Sequence, residues 1–143
     1  MLRAKRNETV KNWRVPSDLS EVQKASAKAL SFFKPLGLSD ACQFDIRLCL
    51  EEALINAMKY GNGLKREVPV DLQAGFDEKK IWLRIEDRGR GFNVSRVSDC
   101  TRGEGLLKEN GRGLYLIHRL MDEVKYNSKG NCILMVKSIQ APL

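Results

Sequence analysis

The chain has 143 residues, of which 43% are hydrophobic and 30% charged, with 25 Lys and Arg against 18 Asp and Glu. That length is enough for one domain around one core, read here as residues 1–143, and no stretch is long and apolar enough to cross a membrane. The net charge of +7 would suit a nucleic-acid partner, but its distribution argues against one: Arg3, Lys5, Arg6, Lys11 and Arg14 crowd the first segment, the other cations are interleaved with acids, and there is no basic helix or aromatic–basic ribonucleoprotein motif.

The basic start, Met1 to Arg6, has no apolar run behind it and does not read as a secretory signal. Cys42, Cys49, Cys100 and Cys132 form no C-x-x-C pair and the chain has a single His, which argues against zinc. The expectation is a cytoplasmic protein with reduced, mostly buried thiols.

Residues 9–15 alternate weakly around Trp13 and Val15 and suggest an edge strand. Asp18 is a good N-cap with Glu21 in capping-box spacing, followed by Leu19, Val22, Ala25, Ala29 and Phe33 at helical intervals. Lys34-Pro35-Leu36-Gly37 ends that helix. Ser39 or Asp40 caps a second one, expected to run to about Tyr60, where Gly61-Asn62-Gly63 stops it. Val68, Val70, Leu72, Ala74 and Phe76 alternate as a half-buried strand. Asp77 to Lys80 is the turn, and Ile81, Leu83 and Ile85 return.

Residues 88–110 are polar and without period, and a loop that long inside a small domain is usually functional. Gly111-Arg112-Gly113 opens a third helix through Leu114, Ile117, His118 and Met121. Val124–Tyr126 and Cys132–Val136 flank a hairpin turn. The order predicts an α+β fold: a two-layer sandwich with a largely antiparallel, mixed sheet covered on one face by helices.

Three patches carry chemistry. Glu52 and Asn56 lie four apart on a helix that is apolar on nearly every side, so they share one face, one turn from each other. A buried carboxylate and amide must be paired or meet a ligand; an amide oxygen suits Mg²⁺ and a carboxylate beside it can act as a general base, though an ordinary Glu–Asn contact would look the same. Asp87-Arg88-Gly89-Arg90-Gly91-Phe92 follows a strand. An Asp there can accept an exocyclic amine such as that of adenine, while the glycines let the backbone pass close to a flat ligand; a plain turn uses the same residue types. Gly111-Arg112-Gly113 leaves bare N–H groups at a helix start, an anion site with Lys108 and Arg112 beside it, or else a flexible helix boundary. His118 reads as a packed structural histidine. Trp13 and Trp82 read as core or interface, and Cys42 and Cys49, seven apart on one helix face, as core.

The order of these patches, E-x-x-x-N, then D-x-G-x-G, then a polar loop, then G-x-G opening a helix, resembles the GHKL or Bergerat-fold ATPases, the superfamily of gyrase, the histidine kinases and MutL. Glu52 to Ala57 resembles their N box, Asp87 to Phe92 their first glycine box and Gly111 to Ile117 their second. Arg119-Leu120-Met121-Asp122-Glu123-Val124 is similar to the anti-sigma-factor serine/threonine kinases in particular, and the likeness spans roughly residues 8–138.

The resemblance implies ATP and Mg²⁺ as cofactors. Glu52 would be the general base, Asn56 the Mg²⁺ ligand and Asp87 the acceptor of the adenine amine. Gly89 and Gly91 would shape the adenine pocket, and Gly111 and Gly113, with Lys108 and Arg112, would meet phosphate. Residues 93–110 would be the lid. It also implies a partner: an anti-anti-sigma protein of the STAS type, a sigma factor, or both. Many members of the branch are homodimers. Two positions depart from the pattern. Glu109-Asn110 stands where the kinases often place an Arg for the terminal phosphate, leaving Lys108, Arg112 or Arg102 to serve, and Tyr60 stands where a His is common. The alternative to a kinase is a module that binds ATP to set its shape and acts by sequestration.

Overall fold

The computed structural model describes residues 8–89 and 109–139, with residues 109–112 described by their backbone alone. Strand β1 is Thr9–Val15, helix α1 Val22–Phe32, helix α2 Asp40–Asn56, strand β2 Val70–Phe76 and strand β3 Lys80–Glu86. Helix α3 is Glu109–Leu120, strand β4 Glu123–Tyr126 and strand β5 Cys132–Ser138. All four strand pairings are antiparallel and the sheet order is β1-β2-β3-β5-β4. The sheet is therefore antiparallel throughout the described residues, and β1 is an edge strand as its pattern predicts.

Local chemistry explains the boundaries. Ser39 is the N-cap of α2, its hydroxyl accepting the Cys42 N–H at 3.1 Å. Asp18 caps a short 3₁₀ turn, Leu19–Glu21, rather than α1 itself: its carboxylate accepts the Ser20 N–H at 2.9 Å and pairs with Arg66 at 2.6 Å. That turn displaces Leu19 from the helical stripe, and Leu19 is exposed. The β2–β3 turn closes on the Asp77 carboxylate, which accepts the N–H groups of Lys79 and Lys80. The β4–β5 turn closes on Asn127, which accepts those of Gly130, Asn131 and Cys132.

The strict alternation of the strands builds the core. Val70, Leu72 and Ala74 of β2, Ile81, Leu83 and Ile85 of β3, and Ile133 and Met135 of β5 point to one face and are buried. The helices lie on that face, with α2 touching both α1 and α3. Its residues Ile46, Cys49, Leu50, Ala53 and Leu54 seal the layer. The helix is not buried on every side, as its composition suggests: Phe44 is 54% exposed and Glu52 and Asn56 are half-buried, because its flank away from the sheet stays open. Cys49 is enclosed, and burial pushes its thiol up to about 12, while Cys42 is half-buried. Among the described residues no helix is long and apolar enough to cross a membrane.

Trp13 packs edge-on against Phe32 at the core's border. Trp82 points to the opposite face of the sheet. There its indole lies over Gly75, its cross-strand partner, and donates to the Glu8 carboxylate. A Cβ at Gly75 would fall inside the indole. Gly75→Ala is therefore expected to lose about 1–3 kcal/mol of stability by overpacking, a clash that outweighs the gain of about 0.5–1 kcal/mol that Ala has over Gly in a strand. Urea denaturation followed by tryptophan fluorescence measures both the loss and the change around Trp82.

Candidate functional site

Helix α2 and the first turns of α3 meet at a glycine. A Cβ built on Gly113 would stand 2.6 Å from Glu52 Oε2 and 3.7 Å from Asn56 Nδ2. The i, i+4 pair of α2 therefore faces the N-terminal part of α3 at a point where a side chain would displace the Glu52 carboxylate. Helix α3 begins at Glu109, two residues earlier than the glycines suggest, so Gly111 and Gly113 lie within its first turns. Unpaired N–H groups and the positive end of the helix dipole are concentrated there. Two of the sequence patches are thus one patch in space: a carboxylate, an amide and a helix start.

The third patch is attached to the far end of α2. The α-helix stops at Asn56, short of the expected Tyr60, and a single π turn follows over Ala57–Gly61. Such turns are frequent at functional sites. The π turn brings Gly61 against the turn after β3: a Cβ on Gly61 would collide with the Asp87 carboxylate, and one on Gly89 would collide with the Gly61 carbonyl. Gly61 is a helix stop in the sequence reading, yet its φ is not positive; only Gly63 and Leu64 of this loop adopt left-handed angles, +61° and +57°. Gly61 is glycine because the turn after β3 passes so close.

That turn is held from several sides. The Gly89 N–H donates to Asp87 Oδ1 at 2.8 Å. The Asp87 N–H donates to the Asn131 carbonyl at 2.9 Å, and Asn131 Nδ2 donates to the Asp87 carbonyl at 2.8 Å. Asn62 Oδ1 accepts the Arg88 N–H at 2.8 Å. Burial raises the Asp87 carboxyl above its ordinary value of 3.8, the Gly89 N–H opposing this only in part. Gly61, Asn62 and Asn131 are therefore structural members of the site that the sequence shows only as turn residues. Their one signal was that Gly61 and Asn62 directly follow the Glu52–Asn56 helix.

Glu52, Asn56, Asp87, Gly89 and Gly113 are all placed along one line that follows α2. Nine residues separate Glu52 from Gly61, roughly 13 Å at 1.5 Å per residue, room for an extended ligand rather than a small ion alone. Gly91, Lys108, Arg102 and the expected lid, apart from Glu109 and Asn110, lie outside the described residues. Gly111 and Arg112 are placed by their backbone in the first turn of α3. His118 is half-buried away from this line, its ring stacked on Tyr126 with Nε2 3.3 Å from the hydroxyl.

Residues 15–137 match the family model of the histidine kinase-like ATPase domain. The chain is 31% identical to the serine-protein kinase RsbW of Oceanobacillus iheyensis over 111 residues, covering 73% of this chain and 70% of that protein. It is 30% identical to the serine-protein kinase RsbW of Staphylococcus aureus over 135 residues, covering 89% of this chain and 85% of that protein.

The raised carboxyl of Asp87 has a sign that can be checked. A folded value above the unfolded 3.8 means that folding favours the protonated form, so this contribution is present below pH 3.8 and is lost as pH rises through the folded value. Asp87→Asn keeps Oδ1 for the Gly89 N–H and removes the desolvated charge. It is expected to melt above wild type at pH 7, with the difference shrinking as pH falls through the folded value and gone below the unfolded 3.8, while Mg-ATP binding is lost; calorimetry reads both. Gly113→Ala is expected to keep the melting temperature, since Ala favours a helix interior over Gly by about 0.5–1 kcal/mol, and to weaken nucleotide binding because the Glu52 carboxylate must move.

Proposed function

Because the chain belongs to the histidine kinase-like ATPase domain family, we propose that it is a Mg-ATP-dependent protein serine/threonine kinase, an anti-sigma regulatory factor that phosphorylates an anti-anti-sigma partner in the cytoplasm. The observation that carries this reading is the meeting of Glu52 and Asn56 with Gly113 at the start of α3. Relatives named as serine-protein kinases support it, with the chain covering most of each.

In this reading Asp87 accepts the exocyclic amine of adenine, with Gly89 and Gly91 shaping the pocket for the base and Gly61 letting the Asp87 turn pack close to α2. The first turn of α3, with Gly111, holds phosphate through backbone N–H groups, while Gly113 keeps the helix close to Glu52 and Asn56. Lys108 and Arg112 supply positive charge at that end. The fit for a divalent cation rests on the donor set: the Asn56 amide carries a hard oxygen one turn from the Glu52 carboxylate, although its Nδ2 is the amide atom nearest the Gly113 Cβ position. Mg²⁺, when bound, neutralises charge on the phosphates of the substrate ATP. Glu52 takes the proton of the attacking Ser or Thr hydroxyl onto a carboxylate oxygen. Phosphoryl transfer asks a protein mainly for position and charge, and these side chains supply both.

A second reading follows from Glu109 and Asn110, which open α3 where the kinases it resembles often carry an Arg. Without that cation the chain would bind ATP and sequester a sigma factor or another regulator without transferring phosphate.

Glu52→Ala separates the two. It is expected to leave Mg-ATP affinity within a few-fold and to cut phosphotransfer by roughly 10²–10⁴, the usual contribution of a general base. Asn56→Ala is expected to weaken Mg-dependent binding itself. Labelled ATP with the anti-anti-sigma-like protein of the same genome measures transfer, and circular dichroism checks the helix. Wild-type transfer by Glu52→Ala sinks the mechanism; no transfer by wild type, with ATP-dependent partner binding, favours the sequestering module.

A further inference from the structure

Asn62 is one of three buried polar residues in the described chain, 6% exposed, and both ends of its amide are engaged. Nδ2 lies 3.0 Å from Ser17 Oγ, 3.0 Å from the Val68 carbonyl and 3.2 Å from the Pro69 carbonyl. Oδ1 accepts the Arg88 N–H at 2.8 Å. One side chain thus ties the β1–α1 connection, the approach to β2 and the turn after β3 to the end of the π turn.

The Arg88 bond is the consequential one. Its N–H sits between Asp87 and Gly89, and the Gly89 N–H in turn holds Asp87 Oδ1. Gly61, the residue before Asn62, is the surface against which the Asp87 carboxylate rests. Residues 61 and 62 therefore set the turn from below, one by leaving space and the other by a hydrogen bond. The Asp87–Arg88 peptide is held at its N–H by Asn62 and at its carbonyl by Asn131, so losing the Asn62 bond frees one edge of the plane from which the next peptide, with the Gly89 N–H that holds the carboxylate, continues.

We infer that Asn62 is a positioning residue for nucleobase selectivity, aiming Asp87 Oδ2 through the Arg88 N–H. The inference rests on Asp87 reading the base. A carboxylate accepts the 6-amino group of adenine and repels the 6-oxo group of guanine, so its direction decides between them, and polar sites that lose a fitted partner discriminate strongly. Among the described residues the hydrogen bonds of Asn62 go to Ser17, Val68, Pro69 and Arg88 and none to α3, where the phosphate end of the site lies.

The test is the ratio of ATP to GTP affinity, by calorimetric titration with Mg²⁺, with inorganic tripolyphosphate as a probe of the phosphate end. Asn62→Ala is expected to reduce the ATP preference by roughly tenfold or more, the worth of a hydrogen bond to a charged group, and to leave tripolyphosphate binding unchanged. Asn62→Asp keeps the Oδ1 acceptor and loses the donors; it is expected to melt lower yet keep the preference. Ser17→Ala, which removes one partner on the donor side, is expected to do the same. Should Asn62→Ala not fold, Asn62→Thr keeps a hydroxyl for the donor side, cannot reach Arg88, and carries the same expectation. A folded Asn62→Ala or Asn62→Thr with wild-type preference, or an Asn62→Asp that loses it as fully, overturns the inference. A wild type that does not distinguish ATP from GTP overturns the reading of Asp87, and the inference falls with it.

Discussion

Where the π turn after α2 meets the turn after β3, the chain packs too closely for either glycine to carry a side chain. Gly61 lies against the Asp87 carboxylate and Gly89 lies against the Gly61 carbonyl, so neither residue could carry a Cβ without pushing the helix off the turn. Because of that contact a single element spans the site. Glu52 and Asn56 occupy successive turns of α2, and Gly61 closes the π turn that follows. Were the helix to continue as a regular α-helix, Gly61 would be rotated away from the strand end and the two halves of the site would separate.

The second contact, Gly113 against Glu52 and Asn56, lies at the opposite end and is more yielding, because the atoms it meets are side-chain ends rather than backbone. Here the missing side chain keeps a carboxylate and an amide open toward the start of a helix, where N–H groups lack partners. Helix α2 is held for this mainly by core packing, with Ile46, Leu50, Ala53 and Leu54 buried among α1, α3 and the sheet, and it is tied to α1 by the Ser26 hydroxyl donating to Glu51 at 2.7 Å and to β5 by Lys137 beside Asp45. The half-buried flank left over is the one that carries Glu52 and Asn56. A rigid apolar layer therefore sets the position of exposed chemistry, which is how fitted sites are generally kept in place.

Asp87 shows what this arrangement costs. Its carboxyl is raised by burial, with the Gly89 N–H and the charge of Lys129 opposing this only in part. Its backbone is fixed on both sides by Asn131 and its turn is fixed by Asn62. A group that is unfavourable in isolation and strongly held is the pattern expected where a ligand completes the pairing. The Ser17, Asn62 and Val68 bonds extend that support to the β1–α1 connection, so the turn is tied to most of one end of the molecule.

Much of the fold was legible in the sequence because each signal is local. Alternation in Val70 to Phe76 and Ile81 to Ile85, the Ser39 cap, and the Asp77 and Asn127 turns depend on residues within a few positions of each other, and the five strands and three helices appear in the predicted order. The site residues were legible as types, a Glu and Asn one turn apart, an Asp after a strand, glycines at a helix start. Sequence could not show which of them meet. Whether Gly113 faces Glu52, whether Gly61 is a helix stop or a point of contact, and whether Asn62 reaches Ser17 and Arg88 depend on partners 26 to 61 positions away along the chain. Such contacts are decided by how α2 rotates on the sheet and where its last turn widens. The boundary at Asn56 and the start of α3 at Glu109 were missed for the same reason: a π turn and an early helix start follow from packing around them, not from the propensities of the residues they contain.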